Sequence, residues 1–341
     1  MTMNRLPPWT ALFLLAACPW PGHAAKTLDV QRPEVQAYVA ELARDHGLDA
    51  DYLRTTLGGA EIQQSILEAI ARPAERVKTW REYRAIFLTP ERIAAGVAFW
   101  REHEARLARV AEKTGVPAEM LVGIIGVETY FGSRTGRYRL LDALTTLAFD
   151  YPPRMNFFRS ELTQLFLLAR DESLDLGKAV GSYAGAMGAP QFMPSSYRAY
   201  AVDGDGDGRR DLFDSWDDVL ASVANYFVAH KWRSGEAVVT RATLATASAH
   251  RPEDNTLSAT STVTGLKAQG VRFSTDMPAS APAGLLAFEG DDGLEYWVGF
   301  HNFYVITRYN RSTMYALAVF QLGQAIGEAF RASRPDAAPG L

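Results

Sequence analysis

The segment GIIGVETYFG at 123–132 sets one glutamate, Glu128, in an otherwise apolar run that stops at glycine. Pro117 suits the first turn of a helix here and Gly132 suits its end. Leu121, Ile124, Ile125 and Glu128 then fall on one face at spacings of three and four. A carboxyl that shares a stripe with core residues has two uses. It is either a buried group bonded to a backbone or side-chain donor, or a displayed proton donor. Apolar surroundings remove hydration from its charged form, which raises the pKa toward the range where a carboxyl gives up a proton at neutral pH.

Most of the chain supplies helix to pack around this segment. Residues 33–46 are periodic and end at Gly47, and residues 49–71 continue with helical spacing. Thr89 and Pro90 read as N-cap and first residue of a long amphipathic helix ending near Gly115. Further helical stretches are 117–130, 142–149, 156–170 and 216–231. Ser215 is placed to cap the last of these, with Asp217 and Asp218 in its first turn. After Trp232 the composition changes, and 237–283 is rich in Ala, Thr, Ser and Pro, as in short strands and loops. The runs GLLAFEG and YWVGFHNFYVIT within 284–307 suit a small antiparallel sheet, and 312–331 returns to helical spacing. The expected class is α+β, mainly α: a helical body, a strand-rich insertion, and a closing helix that docks back on the body.

A chain of 341 residues has room for one large domain or two to three smaller ones. A net charge of −4 offers no basic footprint, which argues against nucleic acid as a partner. The N-terminus reads as a targeting segment, with Arg5, an apolar run from Trp9 to Ala17, and Leu-Ala-Ala-Cys at 15–18. The run is too short to span a membrane. Its last four residues resemble a bacterial lipobox, in which the cysteine is lipidated and becomes the new N-terminus. Cys18 is the only cysteine, so an internal disulfide is excluded. The competing reading is a residue cut away with a signal peptide after Ala24 or Ala25. Both readings export the protein to the periplasm, and Pro19 after the cysteine favours an outer-membrane anchor.

Three downstream segments give Glu128 company. In GSYAGAMGAPQFMPSSYRAYAVD at 181–203, small residues let backbone approach a ligand or a helix, and Gln191, Ser195 and Ser196 supply neutral hydrogen-bonding groups. Neutral groups beside aromatics suit sugars, although a tight loop packed on the Glu128 helix would use the same residues. SVANYF at 222–227 carries Tyr226 on a helix, and NFYVITRYNRSTMYALAVFQLGQAI at 302–326 is dense in Tyr and Asn. Asp142 and Asp150 are candidates for a second carboxylate, with Asp142 read as a helix cap.

The sequence DGDGDGRRDLFD at 203–214 alternates carboxylates with glycine. Asp203, Asp205 and Asp207 occupy the first, third and fifth positions of an EF-hand loop, Gly208 the sixth, and Arg209 can offer its carbonyl. Position twelve is Asp214 rather than a bidentate Glu. Either coordination is weaker there, or the loop is longer and closes through Asp218. Calcium in a structural role is the implied ligand, a solvated acidic turn is the alternative, and no organic cofactor is implied.

Taken together, these segments resemble the membrane-bound lytic transglycosylase B family, glycoside hydrolase family 103. The match runs from about Tyr83 to Gln324 and includes GIIGVET, LDALTTLAFDYPPR, SYAGAMGAPQFMPSSY, SVANYF and NFYVITRYNRSTMYALAVFQLGQA. The resemblance implies a lysozyme-like helical catalytic core, an additional helical domain and a small β domain. The corresponding division is 1–25 signal and lipobox region, 26–115 helical domain, 116–235 catalytic core with the EF-hand-like loop, 236–300 β-rich domain, and 301–341 cleft segment with the closing helix. It also implies cleavage of the β-1,4 bond between N-acetylmuramic acid and N-acetylglucosamine in peptidoglycan strands without water. Glu128 would be the sole acid/base and the product a 1,6-anhydromuramoyl end. Ser182 and Gln191 match positions near the catalytic glutamate. Tyr83, Tyr226, Tyr309, Asn310 and Tyr315 match positions lining the cleft. The resemblance favours Asp218 as the residue closing the metal loop, whereas local spacing favours Asp214. Pro190 stands where some members have Gly. Cell-wall remodelling complexes are the further partners implied. A hydrolytic muramidase, a non-catalytic peptidoglycan-binding lipoprotein and a calcium-regulated binding module are the competing functions.

Overall fold

The computed structural model describes residues 26–71, 78–245, 252 and 254–334. The targeting segment with Cys18 lies outside the described residues. The first half holds α1 (Pro33–His46), α2 (Ala50–Gly58), α3 (Gln64–Ile70), α4 (Trp80–Phe87), α5 (Pro90–Glu102), α6 (Glu104–Thr114) and α7 (Ala118–Thr129). A short antiparallel pair of β1 (Tyr138–Arg139) and β2 (Val180–Gly181) brackets α8 (Leu140–Asp150) and α9 (Met155–Glu172). Next come α10 (Pro194–Tyr200) and α11 (Trp216–Ala229). The strand-rich segment holds β3 (Val239–Leu244), β4 (Ser261–Thr262), α12 (Val263–Ala268), β5 (Val271–Arg272), β6 (Pro282–Gly290) and β7 (Gly293–Gly299). The chain then closes with α13 (His301–Tyr309) and α14 (Thr313–Ala332). The class is α+β and mainly helical, as the sequence implies.

Caps set several of these boundaries. Gly47 ends α1 in the left-handed conformation at φ 65°. The Thr89 hydroxyl accepts the Arg92 amide at the head of α5, and Ser215 accepts the Asp218 amide at the head of α11. Elsewhere tertiary contacts override the local pattern. The stretch 49–71 is two helices, because Glu61 between them bridges to Thr27 and gives its amide to Asp142. The long helix expected from Thr89 to Gly115 breaks at His103, whose ring packs 4.5 Å from Phe99 and 5.0 Å from Trp216. Asp142 is the third residue of α8 and not its cap. Its carboxylate takes the Glu61 amide and the Arg139 guanidinium instead. Residues 301–307, read as part of a sheet, belong to α13. A short apolar aromatic run does not distinguish strand from buried helix by periodicity, and residues 302–307 are all buried.

Two glycines decide how closely the closing helix docks. A Cβ on Gly123 of α7 would lie 2.5 Å from the Val319 carbonyl oxygen, and one on Gly323 of α14 would lie 2.1 Å from that of Glu119. Without side chains at these points the two helix backbones nearly touch, and α14 lies along α7 where the sequence placed a core stripe. Leu121, Ile124 and Ile125 are fully buried.

The five strands of the larger sheet run in the order β4-β6-β7-β3-β5, all antiparallel. A small separate core of Ala242, Val263, Leu266, Leu285, Val298 and Phe300 lies beneath it. The segment leaves and rejoins the helical body at one point. Val239 pairs with Gly299, and the Phe300 amide donates to the Val238 carbonyl at 3.0 Å. Asn302, fully buried, clamps this junction. Its Oδ1 accepts the Arg233 amide, while Nδ2 donates to the carbonyls of Arg233 and Glu236.

Candidate active site

Helix α7 ends at Thr129, ahead of the expected Gly132, because Tyr130 and Phe131 both turn left-handed, at φ 51° and 59°. The Phe131 ring folds back over Gly126, where an added Cβ would lie 2.9 Å from it. This early stop leaves Glu128 half-buried in the last turn, facing a cleft of about 200 Å³. The cleft is lined by Glu128, Ala186, Gln191, Phe192, Met193, Ser196, Tyr226, Tyr309 and Asn310. Glu128 is the single carboxylate in that lining. Asp150 accepts from Arg32 at 2.8 Å, and Asp142 is bound to Arg139, so both face the N-terminal helices instead.

Helix α14 brings the closest partner. Ser312 caps this helix by accepting the Tyr315 amide, and the Tyr315 hydroxyl donates to Glu128 Oε1 at 2.5 Å. Burial, followed by the Glu128 charge, pushes the Tyr315 hydroxyl well above its ordinary pKa of 10.0, so it stays a neutral donor. Tyr309 is raised in the same way, first by burial and then by Glu128. Its hydroxyl donates to the Pro190 carbonyl at 2.7 Å. Tyr226 donates to the Arg308 carbonyl at 2.7 Å, its ring lies 4.8 Å from Tyr309, and burial lifts it to about 12. Tyr83, on α4, is 4% exposed and packs 5.1 Å from Phe87.

The loop between β2 and α10 forms the opposite wall. Gln191 sits at φ 53°, with its side-chain amide donating to the carbonyls of Thr135 and Gly188. The Ser182 hydroxyl accepts the amides of Ala184 and Ala186, so it holds the turn rather than lining the cleft. Of the sequence-predicted site residues, the cleft brings together Glu128, Gln191, Tyr226, Tyr309 and Asn310, with Tyr315 against the carboxylate from behind.

At the acidic loop, oxygens of Asp203, Asp205 and Asp218 lie within 4.8 Å of one another. Asp207 and Asp214 are outside that group of carboxylates, and Asp214 is exposed. Asp218 is 1% exposed and accepts the amides of Gly204 and Asp211. Its pKa is raised by burial and further by the charges of Asp205 and Asp203, although the two amides oppose the rise. Amides of Gly208 and Gly206 hold Asp203 low. Three carboxylates converging on one point, one of them removed from water, fit a hard cation that would offset their repulsion.

The family described as transglycosylase SLT domain matches residues 31–324 of this chain. The chain belongs to that family. Membrane-bound lytic murein transglycosylase B of Escherichia coli (strain K12) is 42% identical over 304 residues, covering 86% of this chain and 82% of the relative. The X-ray structure of catenated lytic transglycosylase SltB1 from Pseudomonas aeruginosa is 50% identical, with a TM-score of 0.84 over 87% of this chain and 98% of that one. The structure of Escherichia coli lytic transglycosylase Slt35 in complex with calcium is 40% identical, with a TM-score of 0.81 over 90% and 96%. The chain is therefore an enzyme, a lytic transglycosylase with the lysozyme-like fold of its relatives.

Sequence reasoning left some contributors to the transglycosylase cleft without a role. Phe192 and Met193 line it from inside the quoted motif. Thr129, fully buried, donates to the Ala189 carbonyl at 2.8 Å and accepts the Gly132 amide at 3.0 Å. It thereby ties the glutamate helix to the loop. Its only sequence signal is adjacency to Glu128.

Proposed function

We propose that Glu128 performs both proton transfers of the lytic reaction on peptidoglycan. It protonates the glycosidic oxygen between N-acetylmuramic acid and N-acetylglucosamine. It then takes the proton of the muramic C6 hydroxyl as that oxygen closes on C1. The observation that carries this reading is a cleft whose lining holds one carboxylate, with that carboxylate accepting from a phenol that burial favours in its neutral form. Ordinary glycosidases need a second carboxylate to attack or to activate water. Here the sugar hydroxyl is the nucleophile, and neutral groups only orient the ring and stabilise the oxocarbenium-like state. Gln191, Asn310 and Tyr226 are assigned to the sugar. Tyr309 and Ser182 are assigned to the shape of the loop, and Tyr83 and Tyr315 to the setting of Glu128.

Mass spectrometry of digested sacculi tests the reading. Anhydro muropeptides, lighter by one water than hydrolytic products, are expected from the wild type, and Glu128→Gln should abolish lysis. Reducing ends alone would assign a muramidase instead, and undiminished lysis by Glu128→Gln would remove the glutamate from its role. Asp203, Asp205 and Asp218 are assigned to a structural Ca²⁺ that holds the acidic loop against α11, which carries Tyr226. The support is their convergence together with the calcium in the Slt35 structure. For location, the curated relative is described as membrane-bound, and among the described residues no helix is long and apolar enough to cross a membrane. A lipid on Cys18 reconciles the two and places the enzyme at the outer membrane facing the periplasm. Cys18→Ser should then release it from the membrane fraction, whereas a fully soluble wild type refutes the anchor.

A further inference from the structure

Glu161 lies midway along α9, well outside the cleft, and is 4% exposed. Both its oxygens are directed at one residue. Oε2 accepts the Ser195 amide at 2.9 Å, and Oε1 accepts the Ser195 hydroxyl at 2.7 Å. Among the described residues it enters no ion pair. A buried carboxylate used in this way is costly to place and costly to disturb, since its loss strands both donors of Ser195. Ser195 sits in the first turn of α10, directly between the two parts of the cleft wall. Gln191, Phe192 and Met193 precede it, and Ser196 follows.

The rest of this wall is pinned from other elements. Thr129 on α7 holds the Ala189 carbonyl, Tyr309 on α13 holds the Pro190 carbonyl, and Gln191 is kept at φ 53° by its own bonds to Thr135 and Gly188. These contacts fix the start of the segment. Beyond Gln191, the Glu161 pair holds the first turn of α10, while Arg198 ties its later residues to Gln164 and Asp171 of the same α9. Of these bonds the Glu161 pair is the one adjoining Ser196 and the backbone of Phe192 and Met193, so it bears most directly on where they stand relative to Glu128.

We propose that Glu161 is a positioning residue for the transglycosylase reaction. Acting through Ser195, it sets the register of the sugar-facing wall against the Glu128 helix. The inference rests on the assignment of Glu128 as acid/base, and it adds a residue on a different helix that never touches substrate. The reacting ring must be held to well under 1 Å, and a displacement of that size remote from the chemistry costs up to about a hundredfold in rate. Wall displacement acts on the orientation of the scissile ring, so the loss should appear in kcat and only weakly in KM.

The test uses Glu161→Gln, which keeps volume but replaces one acceptor by an NH₂ donor, together with Ser195→Ala and the double variant. Kinetics are run on soluble glycan fragments at a temperature where circular dichroism shows each protein folded. The expected result is a fall in kcat of about tenfold to a hundredfold for Glu161→Gln with KM within about threefold. The double variant should be little worse than the worse single, because both remove one contact. Ser195→Thr, which keeps the hydroxyl and the amide, should restore most of the rate lost in Ser195→Ala. A folded Glu161→Gln enzyme with a lowered melting temperature but wild-type kcat overturns the proposal, because the contact would then be structural alone. If Glu161→Gln does not fold, Ser195→Ala with wild-type kcat overturns it equally. Anhydro products from the wild type and loss of activity in Glu128→Gln are read in the same assay. Failure of the Glu128 assignment is thus distinguishable from failure of this one.

Discussion

Replacing Tyr315 by Phe removes one oxygen from the protein and one donor from Glu128, and the structure sets the sign and size of the result. The ring is 2% exposed, so it keeps its packing and leaves little room for a substituting water. The lost bond is the 2.5 Å contact to Glu128 Oε1. A donor of this kind stabilises the carboxylate over the carboxylic acid, and a bond to a charged group contributes about 1.5–3 kcal/mol net. Its loss should move the Glu128 titration upward, since the carboxylate loses more from it than the acid does. On the proposed role Glu128 must carry its proton to begin the reaction, so activity should fall on the alkaline side as the free enzyme loses that proton. The alkaline limb of kcat/KM should therefore move to higher pH in Tyr315→Phe. Tyr309→Phe is the control, because that hydroxyl donates to the Pro190 carbonyl and not to the carboxylate. It should lower the rate while leaving the limb in place. Limbs that coincide in wild type and Tyr315→Phe, or that shift equally in both variants, refute the assignment of Tyr315 as the group that sets Glu128.

Three further outcomes are expected. Chelation of divalent cations should lower the melting temperature and Ca²⁺ should restore it, with Asp218→Asn insensitive to both; a wild type whose unfolding ignores calcium denies the site its structural role. Tyr226 is lifted from 10.0 to about 12 by burial, so its contribution to stability is complete below 10 and is lost as pH rises toward 12. Tyrosinate absorbance should show phenols of the folded protein that ionise well above 10, and a folded protein whose phenols all titrate near the ordinary 10 would contradict this. Gly323→Ala drives a Cβ to 2.1 Å from the Glu119 carbonyl, a clash with backbone that should destabilise by about 1–3 kcal/mol in denaturant titration. An unchanged midpoint would mean that α14 is free to shift on α7.

Where a structural decision is local, the sequence displays it. Gly47, Thr89 and Ser215 are caps whose side chains or conformational freedom act on residues within one turn, and Glu128 announces itself by the apolar stripe it interrupts. Decisions made across the chain leave little trace. Nothing near His103 foretells the helix break there, because its cause is partly Trp216, a residue on another helix. FHNFYVIT reads equally as strand or buried helix, and its Asn302 clamp to Arg233 and Glu236 settles the matter from outside. The same limit applies at the site. Tyr315 could be placed near the cleft only by resemblance, since 187 positions separate it from the carboxylate it touches. Thr129 with Ala189 and Glu161 with Ser195 are single contacts between distant segments, which periodicity cannot report.

The junction at Val238 and Phe300 has a corollary. The strand-rich segment departs and returns through neighbouring positions joined by one hydrogen bond, and it meets the helical body again where Phe288 packs on Trp80 and Glu295 pairs with Arg84. The span that α11 and α13 must bridge is set at the junction, whereas the face of β6 and β7 toward α4 is tied to the body. Tyr226 and Tyr309 stand on the helices on either side of that junction, 4.8 Å apart. Changes confined to the edge strands β4 and β5 would reach the cleft through that junction and through α4, which packs Trp80 on Phe288 and carries Tyr83.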